Sequence, residues 1–387
     1  MKSLISLLLA FFSCLSYLHG NELFKQLTIN DGLAHTDANS IIQDSTGLIW
    51  IGTYGGLQSY DGYSLNTFSY YPATQKIFQS HDRINSMTCT KEKIWLGTES
   101  GLTCFDLKTH SFIPYYINSS KARYDFNVII PQLYSAPSGR YLWIKTLTET
   151  VAARISNDTI QPLEWENENG YILGKRLKNL QFQGDTAWGA TDKQIVQLSV
   201  RKEAVAVLKV YDIAEIVQKD ENIQRILISD DFLYIRSGSG CYRVTLIGDQ
   251  PEKSTLVYAN IHQINPKIPV HTSGEFVVDK EGHLWCAYKQ GLFKIQDPFS
   301  DAPSIQQYFQ DHQGSNNSTL ITKHLLIDNY NNLWMGTYNF GVYCHPLSQP
   351  FCKSLSLTDF KKERLSQNYI ISITGQGNDI YMIIGYS

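Results

Sequence analysis

The sequence predicts an all-β protein: a seven-bladed β-propeller of four-stranded antiparallel blades, followed by the truncated first blade of a second propeller. Three observations predict it. Trp50, Trp95, Trp143, Trp188, Trp285 and Trp334 recur at intervals of 45, 48, 45, 97 and 49 residues. Tyr234 splits the long interval into 46 and 51, and Tyr381 falls 47 beyond Trp334. A repeat near 47 residues decides the architecture before any local argument does. The text around each mark repeats too, as in Trp50-Ile-Gly52-Thr53, Trp95-Leu-Gly97-Thr98 and Trp334-Met-Gly336-Thr337. Composition agrees, with 12% aromatic and only 18% charged residues, and long amphipathic helical stretches are absent.

Taken in order, residues 1–20 read as a secretory signal. Lys2 precedes an apolar run from Leu4 to about Leu18, and the small residues Ser16 and Gly20 follow. The run is too short for a membrane helix, which needs about 20 apolar residues, and no later segment is apolar enough to span. Residues 21–350 form the propeller. Leu23 to Ile29 stand before the first repeat like an outer strand without a blade, suited to complete the last blade and close the ring. Blade one runs from about Asp31 to Tyr70, blade two from His81 to Tyr116 and blade three from Phe126 to Leu163. Blade four spans Leu177 to Val210, blade five Ile223 to Tyr258 and blade six His271 to Tyr308, and blade seven begins near Leu320. Residues 351–387 open a second propeller that does not finish. Phe351–Leu355 doubles Phe24–Leu27, Asn368–Ile373 parallels Asn39–Ile42, and Ile380–Gly385 parallels Ile49–Gly52.

Within each repeat the hairpin has a mechanism. Asp44, Asp279 and Asp328 stand three residues before Gly47, Gly282 and Asn331. An Asp side chain bonds the amides of a tight turn, and Gly or Asn supplies its left-handed residue. The strand that follows is apolar on both faces (Leu48, Ile49, Trp50, Ile51), as in a sheet covered on both sides. Such sheets, repeated every 45 residues or so, fit a propeller.

Charge and cysteines bound the rest. The formal net charge of −3 implies neither nucleic acid nor an anionic membrane surface as partner. Of seven cysteines, six follow the signal. An exported chain permits disulfides, but Cys104 and Cys344 hold one repeat position in blades that do not touch. Cys89 and Cys104 fall on the first and third strands of one blade, about 9–10 Å apart at ordinary strand spacing. A disulfide needs Cα atoms within about 7 Å. Buried free thiols are the expectation.

The wording of the first repeat resembles a known family. Asp31-Gly-Leu33, Ile41-Ile-Gln-Asp44, Gly47-Leu-Ile-Trp-Ile-Gly-Thr53, Gly56-Leu57 and Tyr60-Asp61-Gly62 are similar to the two-component regulator propeller repeat. That resemblance covers essentially residues 22–387 and is strongest in blades one, two and seven. It implies the periplasmic sensor of a hybrid two-component regulator from a glycan-degrading bacterium, with an oligosaccharide as ligand. In that family a second propeller, a β-sandwich, a membrane helix and kinase, receiver and DNA-binding domains follow. This chain is expected to lack them, to bind no nucleic acid itself and to have no kinase activity of its own.

No motif of catalysis or of metal or cofactor binding was found: no His-Glu-x-x-His, Cys-x-x-Cys, Gly-x-Ser-x-Gly or phosphate loop. No cofactor, metal ligand or catalytic residue is therefore expected, with a propeller lyase or hydrolase the minor alternative. For binding, the repeat register places the loop entering each innermost strand and the turn between second and third strands on one face, around the central channel. The entering loops carry His35, Asp37, Arg83, Arg123, Tyr124, Arg176, Lys178, Arg225 and Lys323; the turns carry Tyr54, Glu99, Glu149, Asp192, Lys289, Gln290, Tyr338 and Asn339. Arg83, Arg123, Arg176, Arg225 and Lys323 would aim cations at one mouth, suited to a carboxylate or sulfate. Tyr54 and Tyr338 would stack on sugar rings. These seven are the candidate ligand-binding residues, and an acidic or sulfated oligosaccharide is the ligand they favour. Ordinary solvated loop charges are the competing account of the same cations. Trp165, out of register in Glu164-Trp-Glu166, is either an exposed sugar platform or an outer-strand residue packed beside Leu163. A scaffold that contacts protein, including a second copy of itself, is the alternative function.

Overall fold

The computed structural model describes residues 24–69, 83–113, 116–117, 126–156, 159–201, 203–213, 222–229, 231–237, 241–247, 255–263, 275–288, 291–298, 304–309, 320–347, 368–376 and 379–386. The chain divides into two units, Met1–Leu347 and Ser348–Ser387.

The first unit is the seven-bladed propeller. Blade one is built from Ala38–Gln43, Ile49–Thr53, Gly56–Tyr60 and Leu65–Phe68, paired in that order and antiparallel. Six further sheets repeat the arrangement. Blade seven takes three strands from Ile321–Ile327, Asn332–Tyr338 and Val342–Pro346, and its fourth from the start of the chain. Lys25–Leu27 runs antiparallel to it, with Lys25 opposite Cys344 and Leu27 opposite Val342. The closure expected from Leu23–Ile29 is therefore formed.

The Trp period has a packing cause. Each marker is buried against the blade that follows it. Trp50 packs with Ile84 and Phe105 of blade two, and Trp95 with Leu133 and Leu142 of blade three. Trp143 meets Leu180 and Leu198, Trp188 meets Ile226 and Leu233, and Trp285 meets Leu325 and Met335. Tyr234 takes the role in blade five against Phe276 and Leu284. Trp334 closes the circle on Ile41, Ile49 and Tyr60 of blade one. The glycine two residues on allows the sheets this close: a Cβ at Gly336 would lie 2.5 Å from the Ala38 carbonyl oxygen of blade one.

The Asp residues do more than hold turns. Asp328 Oδ1 accepts from the Tyr330 and Asn332 amides at 2.9 and 2.8 Å, while Oδ2 accepts from Trp334 Nε1 at 2.8 Å. Asp44 serves Trp50, and Asp279 serves Trp285, in the same way. Gly47, Gly282 and Asn331 adopt the expected positive φ of 93°, 81° and 64°. In blade four Phe182 stands where the Asp would be, and Trp188 Nε1 has no hydrogen-bond partner among the described residues.

Blades three and four depart from the four-stranded expectation. Each gains a fifth, parallel strand of two residues: Tyr116–Ile117 beside Thr159–Ile160, and Glu164–Trp165 beside Ala204–Val205. A helix, α1 (Glu168–Arg176), follows the second of these, capped by Asn167, whose Oδ1 accepts from the Gly170 amide at 2.9 Å. It seats Trp165. The ring, 9% exposed, lies on Gly170 and Gly174, where any Cβ at 174 would collide with it. Trp165 is thus a packed outer residue beside Leu163 and not an exposed platform.

Cys89, Cys104, Cys241, Cys286 and Cys344 are free. Among its described residues the second unit has an antiparallel hairpin, Asn368–Gln376 with Asp379–Tyr386. Residues 1–20 and Phe351–Leu355 lie outside the described residues. No helix among the described residues is long and apolar enough to cross a membrane.

Candidate functional site

The mouth of the central channel is assembled by turns whose shape is set locally. In blade one, Thr53 Oγ1 donates to the Gly56 carbonyl at 3.1 Å and accepts from the Gly55 amide at 3.0 Å, which presents Tyr54 at the tip. Thr98 and Thr337 likewise donate to Gly101 and Gly341, at 2.8 and 2.7 Å, in the turns of Glu99 and Tyr338. Asp37 Oδ1 then accepts from the Asn339 amide at 2.7 Å, tying the loop into blade one to the turn of blade seven.

Four of the seven candidate residues meet on this rim in two cation–ring pairs. The Arg83 guanidinium lies 5.6 Å from the Tyr54 ring centre, and the Lys323 ammonium lies 5.3 Å from that of Tyr338. His35 meets the Tyr54 ring edge-on at 5.8 Å. Burial pushes the Tyr54 hydroxyl above its ordinary pKa; the carboxylates of Glu99 and Asp37 push the same way and Arg83 opposes them. Tyr54 is therefore a neutral phenol at physiological pH. Tyr338 is 41% exposed and open to a ligand.

Below the rim, side chains of the innermost strands enclose a cavity of about 120 Å³. Arg225 and Lys323 line it, with Glu275, His324, Tyr134 and Gln132. Arg225 is ion-paired with Glu275. Burial raises the Glu275 carboxyl, against the opposing pull of Arg225. Burial and the nearby Arg225 depress His324 to about 4, so its imidazole is neutral, and its Nδ1 has no hydrogen-bond partner among the described residues. Tyr134, pushed up to about 12 by burial, donates to Gln132 Oε1 at 2.8 Å.

Three of the described cations of the entering loops and innermost strands are ion-paired. Arg83 pairs with Glu99 at 3.1 Å, Lys178 with Asp192, and Arg225 with Glu275. An acid in the turn or loop nearby answers each base; the first two pairs are part exposed, and only Arg225–Glu275 is largely buried. Lys323 has no carboxylate partner among the described residues. Arg176 sits exposed in the last turn of α1, with no ion pair or ring contact among the described residues. Arg123 lies outside the described residues, as do Tyr124, Lys289 and Gln290. Sequence reasoning missed Glu275, His324, Gln132 and Tyr134. The available signal was polarity near an innermost strand, as in Thr322-Lys-His324, where an inter-sheet position would be apolar.

The fold and its first repeat agree with known proteins. Residues 32–55 match the model of the two component regulator propeller, so blade one carries a repeat of that family. The extracellular domain of a hybrid two component system from B. thetaiotaomicron superposes with a TM-score of 0.59 at 17% identity, covering 93% of this chain and 46% of that one. The extracellular domain of a one component system from the same organism gives 0.58 at 16% identity, covering 84% of this chain and 40% of that one. The chain thus spans less than half the length of either. Virginiamycin B lyase from Staphylococcus aureus shares the propeller as well, with a TM-score of 0.55 at 12% identity over 84% of this chain and 97% of that one. No curated protein matches the sequence.

Proposed function

We propose that this propeller is the ligand-sensing part of a periplasmic two-component regulator, and that it binds an oligosaccharide at the channel mouth. One observation carries the reading: two tyrosine rings, each with a cation at its face, stand over a polar cavity. Sugar rings offer C–H faces to aromatics and hydroxyls to polar side chains. Size decides how the ligand sits. Whole small-molecule sites measure roughly 300–1,000 Å³, so a cavity of about 120 Å³ admits one substituent while the sugar ring stays on the rim. Charge decides which substituent. Arg225 and Lys323 face the single carboxylate of Glu275 in that cavity, leaving one positive charge in excess. A carboxylate or sulfate complements it.

The repeat in blade one and the propeller neighbours support the regulator reading. The apolar run of residues 4–18 supports export. We read the hairpin Asn368–Tyr386 as the opening of a second propeller, with kinase and DNA-binding parts belonging to the wider protein. Oligomerisation through a propeller face is compatible with this role.

A glycan array followed by calorimetry tests the site. An acidic or sulfated oligosaccharide should bind, added salt should weaken it, and Lys323→Ala should lower its affinity about tenfold, roughly 1.4 kcal/mol. Equal binding of neutral and acidic forms by wild type and variant would remove the electrostatic part of the proposal.

A further inference from the structure

A second cleft opens on the opposite face, between blades one and seven. It measures about 410 Å³ and lies among the turns that join first to second strands. Its floor holds Tyr60, Ile49 and Trp334, and its rim holds Thr46, Asp61 and Tyr330. The volume falls within the range of whole ligand sites, roughly 300–1,000 Å³.

Tyr330 is the informative residue. It is 68% exposed, yet its ring is placed. Its hydroxyl would lie 2.9 Å from a Cβ at Gly47, so the ring rests against a turn of blade one that only glycine keeps bare. Gly47 is needed there twice, because its φ of 93° also suits glycine. The turn beneath the ring is braced from both sides. Gln43 Nε2 donates to the Gly47 carbonyl at 2.9 Å, and Gln43 Oε1 accepts from the Asn329 amide at 2.7 Å. An exposed aromatic held by its neighbours is a preorganised platform, which spares the entropy of fixing it on binding. The repeat does not require a ring here: Thr46 and Glu281 stand at the matching position in blades one and six.

The charged residues that line the cleft are both acids, while the ammonium groups of Lys25 and Lys280 are spent on the Gly62 and Asn329 carbonyls beside it. Asp61 Oδ1 is held by the Tyr63 and Ser64 amides at 2.8 and 2.7 Å, while Oδ2, among the described residues, takes only the Ser64 hydroxyl, at 3.1 Å. That carboxylate stays ionised, because those amide bonds keep it below the ordinary Asp range. Asp328 lines the cleft as well, and no Lys or Arg does. Lys25 is bonded to the Tyr60 hydroxyl and to the Gly62 carbonyl, which balances part of that charge.

We infer that the cleft between blades one and seven is a second saccharide site, selective for neutral oligosaccharides, with Tyr330 as the stacking platform and Asp61 as the hydroxyl acceptor. It is independent of the channel mouth. Neutral tetra- to hexasaccharides of the malto-, cello- and xylo- series are the probes, titrated by calorimetry into the whole chain. Wild type and Tyr330→Phe should bind one of them alike. Tyr330→Ala should weaken it at least about tenfold with an unchanged melting temperature, since the side chain is mostly exposed. Lys323→Ala, at the mouth, should leave this binding intact. Three results would overturn the inference: no neutral probe binds, Tyr330→Ala binds like wild type, or Lys323→Ala abolishes the neutral interaction. Failure of acidic saccharides alone would count against the mouth and leave the cleft standing.

Discussion

At the residue scale the stability of the ring rests on an aspartate and an indole six residues apart. Asp328 satisfies two turn amides and the Trp334 N–H at once. Replacing it by Ala frees the turn and leaves that indole donor buried without a partner. Hydrogen bonds to a charged group contribute about 1.5–3 kcal/mol; Asp328→Ala should therefore cost about 3 kcal/mol in denaturant melts, and Trp334→Ala about 3–5 kcal/mol. A loss below about 1 kcal/mol for Asp328→Ala would mean the latch is ornamental. The turn role of Asp328 is legible from its spacing to Asn331. The bond to Trp334 is not read from that turn spacing, although the six-residue interval from Asp to Trp recurs at Asp44, Asp279 and Asp328. His324 carries a pH prediction. Its folded pKa of about 4 lies below the ordinary histidine value near 6.5. As pH falls from about 6.5 to about 4 the unfolded chain binds a proton that the folded chain refuses, so stability falls with pH across that window. Glu275, whose folded pKa is raised, works with the opposite sign. His324→Gln should thus lose less stability than wild type between pH 7 and pH 4.5, measured by chemical denaturation at each pH. Parallel curves for the two proteins would rule out a buried neutral imidazole.

At the element scale the closing strand is the test of the ring. Lys25–Leu27 contributes one edge of blade seven, and Leu27 is buried against Leu33 and Val342. Leu27→Asp places a charge in that seam and should lower stability by about 2–4 kcal/mol, with one cooperative transition retained. A melting curve identical to wild type would show that the strand does not hold the ring. The strand was legible because it repeats the outer-strand wording and stands ahead of the first blade. Helix α1 was not. Gly170 and Gly174 lower its helix propensity, and their purpose, to leave room for Trp165, is visible only once the ring is in place. The fifth strands of blades three and four, two residues each, are too short to leave a period.

At the scale of the whole molecule, a Trp in six blades and Tyr234 in blade five were enough to give the architecture, because inter-blade packing demands a large apolar residue at one register position of each repeat. The mouth was legible in part. Register alone brought Tyr54, Arg83, Lys323 and Tyr338 to one rim. It did not reveal that Glu99 and Glu275 answer Arg83 and Arg225, since those pairs join residues 16 and 50 positions apart, the second across blades. The balance of charge, from which we propose a single acidic substituent on the ligand, is a property of the assembled ring. Hydrogen exchange with and without an acidic oligosaccharide, chosen from the array, tests that assembled site most directly. Protection should appear together in the turns at 53–56 and 337–341 and in the innermost strand at 321–327. Protection confined to other segments, or none in the presence of bound saccharide, would contradict a ligand site at the channel mouth.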